Sequence, residues 1–116
     1  MYNELRFVEE RKENGRGAEE MDAAAFQQYV RKFSEIKGFD TSTIEQRMLY
    51  LMTEVGELSK EVLSVSFHPD AERKANLGYE MYDVVWNIFD LANKLDIDLE
   101  QAFREKREIN DHRNWD

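Results

Sequence analysis

Apolar residues recur every three or four positions through most of the chain, which is the repeat of an amphipathic α-helix. The first such stripe consists of Phe26, Tyr29, Val30, Phe33 and Ile36. Asp22 is a good N-cap in front of it and Gly38 is a suitable residue to end it. The pattern therefore predicts a first helix between these two residues.

Three further helices are predicted from similar signals. A capping box from Ser42 to Glu45 opens a helix that runs to about Ser64. A third helix starts after Pro69 and runs to about Leu95, and a fourth opens at the capping pattern that begins with Asp98. No segment alternates apolar and polar residues as a strand does. The prediction is an all-α fold with a four-helix bundle core.

The two middle helices each carry a polar line on an otherwise apolar surface, because positions three and four apart share a helix face. The lines are Glu54, Glu57 and Glu61 on one helix and Glu80, Asp83 and Asn87 on the other. Carboxylates are rarely buried among apolar residues unless something pairs with them, and two facing lines concentrate like charges. Since Arg47, Lys60 and Lys94 look too scattered to neutralise them, a hard divalent metal ion is expected between the helices.

Three other features carry expectations. Asp90 and Lys94 are expected to extend the second polar line into solvent. Gly56, inside a helix at a cost of about 1 kcal/mol relative to Ala, is expected to mark a close neighbouring backbone or a nearby ligand, and packing is the favoured cause. Near the end of the chain, Lys106, Asn110 and Arg113 share a face. That face is either an exposed polar helix end or a cationic surface that meets phosphate oxygens beside the metal.

Composition limits the function classes. A length of 116 residues, 41% hydrophobic, suits one globular domain. The formal net charge of −9 argues against nucleic-acid binding. No apolar run is long enough to cross a membrane, and the absence of cysteine fits a cytoplasmic protein. Residues 1–18 are predicted to be a charged N-terminal arm, broken at Gly15 and Gly17, and residues 19–116 the helical catalytic domain.

The order of the acidic pairs resembles the signature of the MazG-like all-α nucleoside triphosphate pyrophosphohydrolases. Glu54-x-x-Glu57 is followed, after 22 intervening residues, by Glu80-x-x-Asp83. The surrounding segments are similar too, namely Leu51–Leu58, Tyr82–Trp86 and Ile97–Phe103 with Lys106 and Asn110 beyond. The resemblance extends over roughly residues 22 to 113. The chain departs from the pattern at Thr53, where many members carry a second Glu.

This resemblance implies an enzyme that cleaves a nucleoside or deoxynucleoside triphosphate between its α and β phosphates, releasing the monophosphate and pyrophosphate. House-cleaning of non-canonical nucleotides is one implied role. The implied cofactor is Mg²⁺, with Mn²⁺ as a substitute, and the implied ligands are Glu54, Glu57, Glu80 and Asp83. Family members complete the active site by oligomerisation, so a homodimer or homotetramer is expected. Trp86, Phe89 and Tyr82 also diverge around the third helix, more widely than one small core is expected to bury.

The remaining site residues take roles that agree with this chemistry. Glu57 or Glu61 is expected to accept the proton of the attacking water, and Thr53 leaves open which one does so. Lys106, with Asn110 and Arg113, would hold the departing pyrophosphate, while Asn87 and Trp86 would contact the substrate. Candidate walls for the nucleobase are Phe26, Tyr29, Phe33, Tyr82 and Trp86, although most of these aromatic residues are expected in the core.

Two alternative functions stay open. One is a phosphoribosyl-ATP pyrophosphohydrolase-like enzyme, which shares the fold and the metal chemistry. The other is a non-catalytic helical interaction protein whose acidic lines form salt bridges between helices. A di-iron bundle is disfavoured, because such proteins use Glu-x-x-His pairs and this sequence has none.

Overall fold

The computed structural model describes residues 22–115, and these form α-helices without any strand. The α-helices are α1 (Ala23–Lys37), α2 (Ile44–Phe67), α3 (Ala71–Lys94) and α4 (Leu99–Asp111), and a 3₁₀ helix spans Phe39–Thr41 between α1 and α2. The predicted all-α fold is therefore confirmed. The predicted arm at residues 1–18 lies outside the described residues, so the division of the chain at residue 19 stays a prediction.

The ends of the helices follow the capping signals. Asp22 caps α1 by accepting a hydrogen bond from the backbone N–H of Ala25 at 2.8 Å. Gly38 ends α1 in the left-handed conformation, with φ of 79°. The capping box of α2 is formed one residue later than predicted, by Thr43 and Gln46, which bond each other's backbone N–H groups.

The long helices α2 and α3 form an antiparallel hairpin, and its seam follows the seven-residue repeat of a coiled coil. Two positions of each seven-residue repeat face the other helix. The first of them is always apolar and half-buried, with Leu51, Leu58 and Val65 on α2 and Leu77, Val84 and Leu91 on α3. The other seam position is always polar, with Arg47, Glu54 and Glu61 on α2 and Arg73, Glu80 and Asn87 on α3. We call the levels of the seam that contain these polar residues the polar layers. The hairpin thus places a polar layer between successive apolar ones.

The apolar core lies where α1 packs against the C-terminal half of α3. Val30 of α1 is fully buried there. The ring of Phe26 meets the edge of Phe89 at a centroid distance of 4.9 Å, and Phe33 meets Trp86 at 6.0 Å. The core therefore lies beside the part of the hairpin that contains the C-terminal half of α3.

A buried amide joins the core helices to α4. The Gln27 side chain donates to the Asn93 side chain at 3.0 Å and to the Ile97 carbonyl at 2.7 Å. Its oxygen accepts from the backbone N–H of Leu99 at 3.0 Å, at the first turn of α4. Because every polar atom of this amide is bonded, Gln27 fixes the position of α4 without leaving an unsatisfied buried group.

Asp90 and Lys94 do not extend into solvent, so that prediction is wrong. Asp90 is only 2% exposed, and its Oδ2 lies 2.8 Å from Nε of Arg47. The half-buried Lys94 donates to the carbonyl of Ser42 at 2.7 Å. Their face of α3 is covered by the start of α2, which a single-helix pattern does not reveal. Arg47 is therefore not too scattered to meet the second polar line.

Two further expectations from the sequence need correction. A Cβ atom built on Gly56 would meet nothing within 4 Å in the described chain, so close packing within the chain does not explain this glycine. Of the three aromatic residues on α3 that were expected to exceed one small core, Trp86 and Phe89 are buried against α1, whereas Tyr82 is 46% exposed. None of the helices in residues 22–115 has the length and apolar character needed to cross a lipid bilayer.

Replacing Gly38 by Ala should destabilise the protein by about 1 kcal/mol, because the φ of 79° places an L-residue in the left-handed region. Gly78→Ala is the matched control. Gly78 lies inside α3 and an added Cβ meets nothing within 4 Å, so Ala should stabilise by about 0.5–1 kcal/mol. Chemical denaturation measures both changes, and shifts of the same sign would contradict the assigned end of α1.

Candidate metal centre

Three carboxylates from the two helices of the hairpin converge on one point. Glu54 comes from α2, and Glu80 and Asp83 come from successive turns of α3. One oxygen atom of each lies within 4.8 Å of the other two. Glu54 and Glu80 are half-buried, whereas Asp83 is exposed, so the cluster opens to solvent on the Asp83 side. We call these three residues the acidic trio.

The electrostatics of the acidic trio favour a cation. Partial burial raises the pKa of Glu54 above its ordinary value, and the charges of Asp83, Glu80 and Glu57 raise it further. Among residues 22–115, no Lys or Arg forms an ion pair with any member of the trio. The local negative charge is therefore not compensated by the described part of the chain.

The donor atoms also indicate which cation would fit. The trio offers carboxylate oxygens alone, without imidazole or thiolate, and oxygen donors suit hard ions such as Mg²⁺ and Mn²⁺. Magnesium needs only a few protein ligands and keeps several waters. A set of three converging carboxylates that is open on one side meets this requirement.

Glu57 and Glu61 lie on α2, about one and two turns beyond Glu54. Glu57 is exposed and stands outside the trio, although its charge acts on Glu54. Glu61 is half-buried at the seam, in the next polar layer. The predicted roles of Glu57 as a fourth ligand, and of either residue as a general base, stay predictions.

Asn87 and Trp86, predicted to contact substrate, are interior residues in this structure. The side chain of Asn87 accepts from Arg47 Nη1 at 2.9 Å and donates to the carbonyl of Asp83 at 2.8 Å. Trp86 is packed edge-on against Phe39, with a centroid distance of 6.2 Å, and under the guanidinium of Arg47. Their contact with substrate stays a prediction.

The sequence interpretation set Arg47 aside as too scattered, yet it contacts Asn87 and Asp90, one polar layer away from the trio. The spacing of residues in the sequence did indicate its position. Arg47 precedes Glu54 by seven residues, and Asp90 follows Asp83 by seven. A seven-residue spacing returns to the same helix face. Reading both helices as one seam would have placed Arg47 opposite Asp90.

The predicted phosphate-binding face is only partly helical, because α4 ends at Asp111 and Arg113 lies beyond it. No hydrogen bond or ion pair within residues 22–115 joins its three residues to the trio. Lys106 is exposed. The guanidinium of Arg113 lies 4.2 Å from the centroid of the Trp115 ring. The side-chain oxygen of Asn110 is buried, and no donor in the described chain reaches it. Both sequence interpretations of this face therefore stay open.

The fold and the site define an all-helical protein that carries a candidate metal centre between two long helices. Residues 42–114 match the family model described as the MazG nucleotide pyrophosphohydrolase domain. The match spans more than half of the chain and includes α2, α3, α4 and the whole trio. The chain belongs to the MazG nucleotide pyrophosphohydrolase family. Neither the curated proteins nor the solved structures yielded a match to it.

Asp83→Asn should leave the melting temperature in excess EDTA unchanged or raised, because it removes one of three mutually repelling charges. The stabilisation by Mg²⁺ should shrink at the same time. For the wild type we expect about 2.7 kcal/mol at a concentration 100 times the dissociation constant, since only the folded state holds the ion. Thermal unfolding with EDTA and with Mg²⁺ measures both quantities.

Glu35→Gln is the matched control for this experiment, since Glu35 is an exposed carboxylate on α1, outside the trio. It should retain the full Mg²⁺-dependent rise. If Asp83→Asn instead melts well below the wild type in EDTA, Asp83 supports the fold and the metal-site interpretation loses its physical basis.

Proposed function

We propose that this protein is a divalent-metal-dependent nucleoside triphosphate pyrophosphohydrolase. It cleaves a nucleoside or deoxynucleoside triphosphate between the α and β phosphates and releases the monophosphate and pyrophosphate. The observation that carries the proposal is the convergence of Glu54, Glu80 and Asp83 within 4.8 Å, inside the part of the chain that matches the family model.

The acidic trio would hold the ion, with Glu57 next to it on α2. When bound, a hard divalent cation offsets the charge of the phosphate oxygens and lowers the pKa of nearby water. Glu57 is exposed and Glu61 is half-buried, so a carboxylate that reaches solvent stands beside the trio. One of these two accepts the proton of the water that attacks the α phosphorus.

The leaving group departs as the bond between the α phosphorus and the bridging oxygen breaks. Pyrophosphate needs cationic and amide donors. Lys106 and Asn110 supply them on α4, with Arg113 just beyond its end. The buried side-chain oxygen of Asn110 has no donor among the described residues. An amide oxygen only accepts hydrogen bonds, so a contact of Asn110 with pyrophosphate would use its Nδ2 donor.

The test is a panel of canonical and damaged triphosphates, with phosphoribosyl-ATP included, assayed for pyrophosphate and for orthophosphate. We expect pyrophosphate and a nucleoside monophosphate, in Mg²⁺ or Mn²⁺ but not in EDTA. In ¹⁸O-labelled water the label should enter the monophosphate, because the attack is on the α phosphorus. Glu80→Gln should lose activity and Glu35→Gln should keep it.

Several outcomes of this experiment would change the conclusion. Orthophosphate with a nucleoside diphosphate would refute the proposed bond. Turnover of phosphoribosyl-ATP alone would favour that alternative enzyme. A Mg²⁺-insensitive protein without turnover on any member of the panel would favour the non-catalytic interaction protein.

We also propose that the protein acts as a homodimer or homotetramer. Helix α2 exposes large apolar side chains, among them Leu49, which is 69% exposed, and Phe67, which is 75% exposed. An exposed apolar surface of this kind is typical of an interaction site. A second copy of α2 is a suitable occupant, and the α4 face of one chain would then approach the trio of another.

Sedimentation equilibrium at micromolar concentration should give at least a dimer mass. Leu49→Lys places a charge on the exposed apolar surface of α2 and should shift the protein toward the monomer, with helical content unchanged. Ile36→Lys is the control, because Ile36 is exposed on α1 instead. A folded monomer for the wild type would contradict the proposed assembly.

A further inference from the structure

A continuous line of buried polar contacts leads from α2 to the backbone of the acidic trio. Nε of Arg47 lies 2.8 Å from Oδ2 of Asp90, and Nη1 of Arg47 donates to the Asn87 side chain at 2.9 Å. Asn87 in turn donates to the carbonyl of Asp83 at 2.8 Å. Arg47, Asn87 and Asp90 are each less than a tenth exposed. We call these three residues the Arg47 cluster.

The Arg47 cluster repeats the geometry of the trio at a distance of seven residues along each helix. Arg47 precedes Glu54 by seven residues, and Asn87 and Asp90 follow Glu80 and Asp83 by seven. Seven residues are close to two helical turns, so both groups use the same two helix faces. Any contact that fixes the axial position of α2 against α3 at the cluster therefore fixes it at the trio as well.

The apolar layers of the seam specify this axial position only weakly. They present Leu or Val at every repeat on both helices, so a displacement by one repeat would bring similar side chains together. A buried charge has no such freedom, because a displaced guanidinium would lose its carboxylate and remain unpaired. Buried polar residues at a seam are known to select register for this reason.

The contacts of Arg47 also fix its orientation. The guanidinium is planar with its donors in a rigid fork. Here Nη1 donates to Asn87 and Nη2 donates to Ser42 Oγ at 3.2 Å. Nε lies close to Asp90 Oδ2 as an ion pair, without the angle of a hydrogen bond. Two aromatic rings also lie against the guanidinium, since its carbon is 5.4 Å from the centroid of Trp86 and 5.2 Å from that of Tyr50. A side chain held in this way sets position and angle together.

We propose that the Arg47 cluster is the positioning device of the metal centre. It sets the register of α2 against α3 and steadies the backbone at Asp83, and the three carboxylates converge because of it. The inference rests on the proposed metal-dependent function. None of its members needs to touch the ion or the substrate to act in this way.

The test is direct Mn²⁺ binding, followed by the electron paramagnetic resonance signal of free Mn²⁺, together with melting temperatures in EDTA. Asn87→Leu removes the link to Asp83. The double variant Arg47→Met/Asp90→Leu removes both charges of the buried pair at similar volume, a change that often preserves stability. Loss of groups that orient metal ligands typically weakens affinity by about 10- to 100-fold, and we expect at least tenfold here.

Gln27→Met is the matched control, since it breaks a buried polar network between α1, α3 and α4 that does not involve the trio. It should lower the melting temperature but keep the Mn²⁺ dissociation constant of the wild type. Arg47→Lys keeps the positive charge but loses the planar set of guanidinium donors. It replaces the other variants of the cluster if those do not fold, and it should also weaken Mn²⁺ binding.

Two results would overturn the inference in distinguishable ways. If the wild type binds Mn²⁺ and every folded variant of the cluster binds it as tightly, the cluster does not position the trio, while the proposed function stands. If the wild type itself binds no Mn²⁺, both the proposed function and this inference fail.

Discussion

The structure depends on the pairing of α2 with α3, which has to hold three carboxylates close together. At an effective dielectric constant of about 20, two charges about 4 Å apart repel by about 4 kcal/mol, and solvent at an open site reduces this value. Burial of a Leu or Val side chain contributes about 1.5–3 kcal/mol when complete. Leu51 and Leu58 are only half-buried, so each contributes less than this. Several such side chains along the seam together contribute more burial free energy than the solvent-screened repulsion costs.

The distribution of charge along the seam separates the acidic trio from the other polar layers. The layer at Arg47 is neutral overall, because Asp90 offsets the guanidinium. Arg73 places a cation in the layer at the other end of the hairpin, where it donates to Ser64 at 2.6 Å. The middle layer alone, among the described residues, consists of like charges. A buried ion pair adds little net stability over an apolar pair, so specifying register is the better physical reason for the Arg47–Asp90 pair.

The sequence was sufficient for the helices, because caps and apolar stripes are local signals. The approach of Glu54 to Glu80 and Asp83 was expected only on the assumption that the two polar lines face each other, and Glu57, expected with them, stands outside the trio. A cap at Asp22 or a stripe of apolar residues needs no knowledge of the neighbouring helix. The burial of Asp90 and Lys94 could not be predicted in that way, since it depends on which helix covers their face. The same limit applies to Trp86 and Phe89, whose rings are covered by α1 and not by a second chain.

The net charge of the site connects the proposed chemistry with the proposed assembly. Three carboxylates and one divalent ion leave a negative sum, and a triphosphate adds about four further negative charges. The trio alone therefore repels its substrate at long range. Lys106 and Arg113 carry the charges that would reverse this, yet no hydrogen bond or ion pair in the described chain joins them to the trio. Under the proposed function, an α4 face from another copy would supply the missing cations, and substrate binding and oligomerisation would then favour each other.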